Sequence, residues 1–181
     1  MSNVKFQIFV SSTYTDLIDE RQAAVEAILK AGHIPAGMEL FAAGNESQLD
    51  TIKRWIDSSD IYMLILGTRY GSLEPKTGFS YIELEYEYAV SVNKPLFAVV
   101  TRKTSPIDYP DKYALLKEKV LSKTCSFFED SKDIKLSIHE SIQDMQNRLK
   151  LNGWISASEI PNTKHLIDEI NRLQGQNTSL V

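Results

Sequence analysis

Cysteine is almost absent from this 181-residue sequence, and Cys125 is the only one. A single thiol excludes an intrachain disulfide framework and is typical of proteins in a reducing compartment. The first residues lack the basic segment and long apolar core of a signal peptide, and no apolar run approaches the roughly 20 residues of a membrane span. We therefore expect a cytoplasmic protein without a membrane partner.

Runs of basic residues are also missing, and the formal net charge is −4. Binding to a nucleic-acid backbone depends on clustered lysine and arginine, so we expect no nucleic-acid partner. The three histidines, His33, His139 and His165, are far apart in the sequence and predict no metal site. Neither a Walker loop nor a Gly-x-Gly-x-x-Gly motif follows the first apolar segment, which argues against the commonest phosphate-binding loops.

Apolar runs alternate with amphipathic segments along the chain, which indicates strands alternating with helices. Five segments are predicted to be strands: 4–10, 33–40, 61–66, 95–100 and 124–128. This alternation favours a parallel sheet, and we predict an α/β, flavodoxin-like, three-layer fold with strand order 2-1-3-4-5. Residues 1–152 are predicted to form this domain, and residues 153–181 a helical extension with a flexible tail.

Helical periodicity predicts the buried faces of two long helices. The helix that ends near residue 31 is expected to bury Leu17, Ala24, Val25, Ile28 and Leu29. Thr13 and Asp16 have the spacing of an acidic capping box at its start. A second helix, 133–152, is expected to pack on the sheet through Ile134, Ile138, Ile142, Met145 and Leu149.

Glu85 is unusual because it falls on the apolar side of a predicted helix, 81–92. The apolar residues predicted for that side are Tyr81, Leu84, Tyr88 and Val92, with Glu83 and Glu87 pointing the other way. A carboxylate in an apolar stripe must be paired, protonated or facing a cavity, because an isolated buried charge is very costly. Glu85 is thus either a functional carboxylate or one tied to a buried arginine or tyrosine.

The predicted topology brings two loops to one crevice. Strands one and three are neighbours where the strand order reverses, so the loops 11–15 and 67–72 should face each other, with Glu85 behind the second loop. Ser11, Ser12, Thr13 and Tyr14 offer hydroxyls and helix N-terminal amides for phosphate or ribose oxygens. The alternative is that these residues only cap the following helix.

The second loop adds groups that suit a nucleotide-sized ligand. Gly67 and Gly71 allow close backbone approach, and Arg69 between them can hold an anion. Three tyrosine rings are candidates for stacking on a base: Tyr14, Tyr70 and Tyr81. A flavin site of the flavodoxin type stays open, although the first loop lacks the glycine that such loops usually carry.

Arg21 lies on the inward side of the first predicted helix, near its start. From there it can reach an anion or a carboxylate at the ends of the strands. The alternative is a local pair with Asp16 or Glu20 on the surface.

Three segments closely resemble a known family: FVSSTYTDLIDER (9–21), LILGTRYGS (64–72) and SYIELEYEYAVSVNKP (80–95). The family is an uncharacterised domain that typically stands at the N-terminus of NLR-like (STAND) signalling proteins, ahead of an NTPase module and helical repeats. The resemblance covers about residues 5–128 and extends to TIR domains and nucleoside 2-deoxyribosyltransferases. It implies a TIR-like fold and an effector or signalling role in prokaryotic antiviral defence.

The resemblance also implies a role for Glu85. The nucleophilic glutamate of the transferases and the catalytic glutamate of NADase-type TIR domains both align with it, with Ala89 and Lys94-Pro95 in register. Glu87 stands where the transferases have glycine, which could crowd or recharge the pocket. NAD or a nucleotide is then the expected substrate or ligand, with no separate cofactor, and the activity that of an NAD nucleosidase or N-glycosidase (a hydrolase).

Two hypotheses remain open at this point. In the first, Glu85 stabilises or traps the oxocarbenium-like state of N-glycosidic bond cleavage. In the second, the domain is a non-catalytic module that binds a nucleotide or associates with itself, and is coupled to a downstream NTPase or repeat module. An open cleft that reaches Glu85 favours the enzyme, whereas a Glu85 sealed by an arginine favours a structural role.

Overall fold

Five strands alternate with five long helices in the part of the chain that the structure describes. The structure is a computed structural model, and it describes residues 4–37, 47–104, 106–156 and 167–172. The strands are β1 (Gln7–Ser11), β2 (Ile34–Ala36), β3 (Ile61–Leu66), β4 (Leu96–Thr101) and β5 (Cys125–Phe128). The helices are α1 (Ile18–Lys30), α2 (Gln48–Ser58), α3 (Tyr81–Ser91), α4 (Pro110–Leu121) and α5 (Ser131–Arg148).

The strands form one parallel sheet in the order β2-β1-β3-β4-β5, which confirms the predicted flavodoxin-like arrangement. β1 lies beside β3, with Ser11 opposite Leu64 in the register. Every residue of these two strands is buried, as expected of apolar runs covered on both faces. β2 is a short edge strand, which suits Pro35, because an edge position tolerates a missing N–H donor.

Helices α2, α3 and α4 cover one face of the sheet. Their apolar side chains form a single core with alternate residues of the central strands, including Phe9, Tyr62, Leu64, Leu66, Ala98 and Val100. The intervening strand residues point to the opposite face, because side chains alternate along a strand. On that face α1 and α5 pack against each other, so the sheet lies between two helical layers.

The predicted stripe of α5 is confirmed except at its end. Its buried apolar residues are Ile134, Ile138, Ile142 and Met145. Leu149 is exposed because the helix ends at Arg148, short of the predicted residue 152.

The prediction for α1 needs two corrections. Leu29 is exposed and Val25 only half-buried, because the buried face is rotated toward Arg21 and Ala23. The cap is also different: the helix begins at Ile18 after Leu17, and no side chain caps its N-terminus. Thr13 and Asp16 therefore belong to the preceding loop and do not form a capping box.

The predicted stripe of α3 was also wrong in part. Glu85 is buried as expected, but so is Glu83, and Val92 is exposed. The buried side is centred on Ile82, Tyr86 and Ala89, because α3 is packed between the sheet and its neighbouring helices. Ser80 caps the start of this helix, since its hydroxyl accepts from the backbone N–H of Glu83.

The chain divides into two units, and all ten elements belong to the first, Lys5–Gly153. The second unit comprises Met1–Val4 and Trp154–Val181; within it the structure describes a short helix at 167–172, inside the predicted extension. The predicted flexible tail lies outside the described residues, and the division at residue 152 stays a prediction. In the described ranges, no helix is long and apolar enough to cross a membrane.

The stripe of α5 can be tested by one pair of substitutions. Ile138→Ala should lower the free energy of unfolding by about 2–5 kcal/mol, because it leaves a cavity in the core. Leu136→Ala is the matched control, since Leu136 lies on the same helix and is 58% exposed, against 1% for Ile138. Urea unfolding at constant pH measures the free energy of unfolding of both variants. Equal effects of the two substitutions would show that α5 does not bury this stripe.

Candidate active site

A cleft of about 630 Å³ opens at the carboxyl ends of β1 and β3. Its walls come from the loops after β1, β3 and β4 and from the first turns of α2 and α3. The lining residues are Ser12, Thr13, Tyr14, Thr15, Gln48, Arg69, Gly71, Ser72, Tyr81, Ile82, Glu85, Asp108 and Tyr109. The two loops predicted to face each other therefore border one crevice, where ligands bind in sheets of this topology.

Two glycines allow the β1 and β3 loops to approach each other closely. A Cβ atom on Gly67 would lie 3.1 Å from the Asp16 carboxylate and the Leu17 side chain. A Cβ on Gly71 would lie 2.9 Å from Thr13 Cγ2, and Gly71 also has a φ of +92° that other residues rarely adopt. Gly71 borders the cleft itself, whereas Gly67 supports the wall from behind.

Glu85 lies at the floor of this cleft and is almost completely buried, with 2% of its surface exposed. The Ser11 hydroxyl donates a hydrogen bond to Glu85 Oε2 at 2.5 Å. Burial raises the pKa of Glu85 to about 7, against the opposing effects of the Ser11 hydrogen bond and the charge of Arg21. The carboxyl group is therefore poised to change its charge near neutral pH.

Arg21 lies behind the β1 loop, buried and not on the surface. Its Nη1 donates to the Val10 carbonyl oxygen at 3.3 Å and to Ser12 Oγ at 2.8 Å. Its positive charge favours the ionised form of Glu85, as the inward position in the sequence allowed. Arg21 does not line the cleft, so it acts on the site through Ser12 and through its charge.

The β3 loop is fixed by Asp108 from the loop after β4. Arg69 borders the cleft, with its Nε 3.2 Å from Asp108 Oδ2. The backbone N–H of Tyr70 donates to Asp108 Oδ1 at 2.5 Å. An anionic ligand would have to share Arg69 with this carboxylate.

The three candidate stacking tyrosines have different surroundings. Tyr14 lies at the rim of the cleft and is well exposed, and Tyr81 is a partly buried wall residue. Tyr70 is fully buried and its hydroxyl donates to Glu83, so its ring is not available for stacking on a ligand. Tyr70 instead supports the loop that carries Arg69.

Glu83 and Glu87 are both held by Lys119 of α4. Lys119 Nζ donates to Glu83 Oε1 at 2.7 Å and also to the Glu87 carboxylate. Glu83 thus has a lysine and the Tyr70 hydroxyl as partners, which explains how a second carboxylate of α3 can be buried. Glu87 is not among the cleft residues, so it does not crowd the pocket as the resemblance suggested.

Sequence reasoning missed several lining residues, of which Asp108 and Tyr109 matter most. Both belong to the polar connection after β4. Because β4 lies next to β3 in the sheet, its following loop ends at the same edge, and the predicted strand order was a signal that could have found them. Across the described ranges, no group of three or more His, Cys, Asp or Glu residues is suited to hold a metal ion.

Residues 7–143 match the protein family described as Domain of unknown function (DUF4062). The chain belongs to this family. The match covers the whole sheet and all five long helices except the end of α5. No curated protein sequence is significantly similar to the chain.

Several solved structures are similar at low identity. The TIR domains of the activated Roq1 resistosome, which recognises the pathogen effector XopQ, share 13% identity over 92% of this chain and 99% of theirs, with a TM-score of 0.43. A diflavin flavoprotein A3 from Nostoc sp. shares 13% identity over 82% of this chain and 100% of its own chain, with a TM-score of 0.43. The Flv1 flavodiiron core from Synechocystis sp. shares 16% identity over 81% of this chain and 36% of its own chain, with a TM-score of 0.43.

The raised pKa of Glu85 predicts a specific dependence of stability on pH. Between its ordinary pKa of 4.5 and about 7, the folded protein holds a proton that the unfolded chain has lost. The stabilisation that comes from this bound proton is fully present below about pH 4.5 and is lost as pH rises through about 7. From pH 5 to pH 8 the wild type should therefore lose about 2 to 3 kcal/mol more than Glu85→Gln, which cannot ionise.

Urea unfolding of both proteins at the two pH values measures this difference. Groups other than Glu85 contribute equally to both proteins and cancel. The same loss of stability in wild type and variant would show that the carboxyl group titrates near its ordinary pKa.

Proposed function

We propose that the cleft binds NAD or a related nucleotide and that Glu85 assists the cleavage of its N-glycosidic bond. The observation that carries this proposal is the position of Glu85: an ionisable carboxylate at the floor of an open cleft, at the switch point of the sheet. A purely structural carboxylate has no need to border such a cleft. A pKa near neutrality is also typical of groups that take part in catalysis.

The chemistry is the departure of a base from C1′ of a ribose. The C1′–N bond breaks, its electron pair leaves with the base, and positive charge develops on the sugar. The Glu85 carboxylate stabilises this charge or bonds to C1′. Water then adds to C1′ and loses a proton; where the carboxylate has bonded, the C1′–O bond to Glu85 breaks and its electron pair returns to the carboxylate. The products are the free base and the hydroxylated sugar.

Two neighbours of Glu85 favour the ionised form that this role requires, against the larger effect of burial. Ser11 donates to the carboxylate, and the guanidinium of Arg21 lowers its pKa against the effect of burial. With a pKa of about 7, the Glu85 carboxyl group is ionised in about half of the molecules at pH 7. Activity should therefore rise with pH through this region.

The rest of the ligand has partners on the cleft walls. Ser12 and Thr13 line the cleft from the loop after β1, where their hydroxyls suit ribose or phosphate oxygens. Arg69 offers a cation that is shared with Asp108, and Tyr14 and Tyr81 offer rings for a base.

The family resemblance supports the wider setting of this activity. We propose an effector or signalling domain of NLR-like proteins in prokaryotic defence, coupled to a downstream NTPase or repeat module. Self-association of the domain would then serve as the activating step.

A second candidate is a non-catalytic module that binds a nucleotide or associates with itself. The observation that favours it is the burial of Glu85, which is 2% exposed and already hydrogen-bonded to Ser11. A ligand could bind above such a carboxylate without reaching it.

Release of base from NAD and from nucleosides distinguishes the two candidates. We expect the concentrated or artificially clustered domain to release base, and Glu85→Gln to reduce the rate at least about 100-fold, because the charge that stabilises the sugar cation is gone. The wild-type rate should increase as pH rises through about 7. Chromatography of the products measures each rate.

Glu87→Gln is the matched control, since it makes the same change on the same helix outside the cleft. It should leave base release unchanged. Undiminished release by Glu85→Gln would place the chemistry on another residue. Binding of NAD by the clustered wild type without any release would favour the second candidate.

A further inference from the structure

Tyr109 has an unusual backbone conformation at the edge of the cleft. It precedes α4 with φ 42° and ψ 58°, in the left-handed region that a bulky side chain rarely adopts. Its neighbour Pro110 adds to the cost, because a residue before proline prefers an extended conformation. Such strain persists only where the surroundings enforce it, and it is concentrated at functional sites.

The loop that carries Tyr109 is held at two points by the β3 loop. The backbone N–H of Ile107 donates to the Thr68 carbonyl oxygen at 2.9 Å. The Asp108 carboxylate accepts from Arg69 Nε and from the backbone N–H of Tyr70. These bonds fix the backbone on the N-terminal side of Tyr109, and its own carbonyl oxygen accepts the first hydrogen bond of α4, from Tyr113.

The ring of Tyr109 is held in place without being buried. It lines the cleft and Tyr109 remains 47% exposed, so the backbone strain is not offset by placing the ring in the core. The Tyr70 ring makes an edge contact with it at 5.9 Å, and Lys112 Nζ lies 5.9 Å from its centroid. Lys112 is itself anchored, because it donates to the Gly78 carbonyl oxygen at 2.7 Å.

A fixed, half-exposed aromatic ring on a cleft wall is suited to one class of ligand group. Planar heteroaromatic bases stack on tyrosine rings, and each such contact contributes substantially to binding. The polar lining elsewhere in the cleft suits the sugar and its substituents. Because the ring is already oriented, little conformational freedom is lost when a base binds to it.

We infer that Tyr109 is the platform on which the planar base of the ligand stacks, and so determines which ligands the cleft accepts. This inference rests on the proposed function and deepens it by assigning the base to the wall formed by the loop after β4. It separates the binding of the base, through Tyr109, from the chemistry at C1′, through Glu85.

The test measures NAD binding by calorimetry. All proteins carry Glu85→Gln, which prevents turnover, and position 109 is tyrosine, phenylalanine or glycine. Tyr109→Phe keeps the ring and should retain the affinity within about twofold. Tyr109→Gly removes the ring and should weaken NAD binding at least about tenfold. Urea unfolding of the glycine variant should show little loss of stability, because glycine adopts the left-handed conformation without steric cost, which offsets the lost ring contacts with Tyr70 and Lys112.

The outcomes separate this inference from the function on which it rests. Unchanged NAD affinity in Tyr109→Gly overturns the stacking role and leaves the proposed function standing. An equal loss in the phenylalanine and glycine variants also overturns it, because the hydroxyl and not the ring would then be responsible. No NAD binding by the protein that retains Tyr109 overturns both proposals.

Discussion

The hydrogen bond from Ser11 to Glu85 is the interaction on which the candidate site depends. It joins the end of β1 to α3, across the point where the order of strands in the sheet reverses. The loops that follow β1 and β3 also lie in close contact, which Gly67 and Gly71 permit. The hydrogen bond holds a carboxyl group at the floor of the cleft, where an unsupported charge would be very costly. The fold thus brings together groups that lie 74 residues apart in the chain.

The site balances two opposed effects on that carboxyl group. Burial disfavours the charge, and this effect is the larger, since the pKa is raised to about 7. Ser11 and Arg21 oppose it and keep the ionised form accessible near neutral pH. The second buried carboxylate of α3, Glu83, contrasts with this arrangement because Lys119 neutralises it directly. The two buried glutamates of α3 thus differ in their surroundings: Glu83 is paired with a lysine, whereas Glu85 borders the cleft and has a raised pKa.

Much of this arrangement follows from local sequence patterns. The alternation of strands and helices predicted the parallel sheet, Pro35 suited the edge position of β2, and helical spacing predicted that Glu85 faces inward. What could not be predicted depends on partners from distant parts of the chain. Burial of Glu83 requires Lys119 of α4 and Tyr70, and the orientation of Tyr109 requires hydrogen bonds between two loops. Periodicity within one helix carries no information about such partners, which is why the predicted stripe of α3 was partly wrong.

The proposed role of Glu85 depends most on its raised pKa at the edge of the cleft. Carbon-13 NMR of protein labelled at the glutamate side-chain carboxyl groups measures that pKa directly, with the Glu85→Gln variant used to assign the signal. We expect the Glu85 carboxyl carbon to titrate at about 7, well above its ordinary 4.5. Titration at about 4.5 would contradict the account, because burial would then not be the larger of the opposed effects on the carboxyl group.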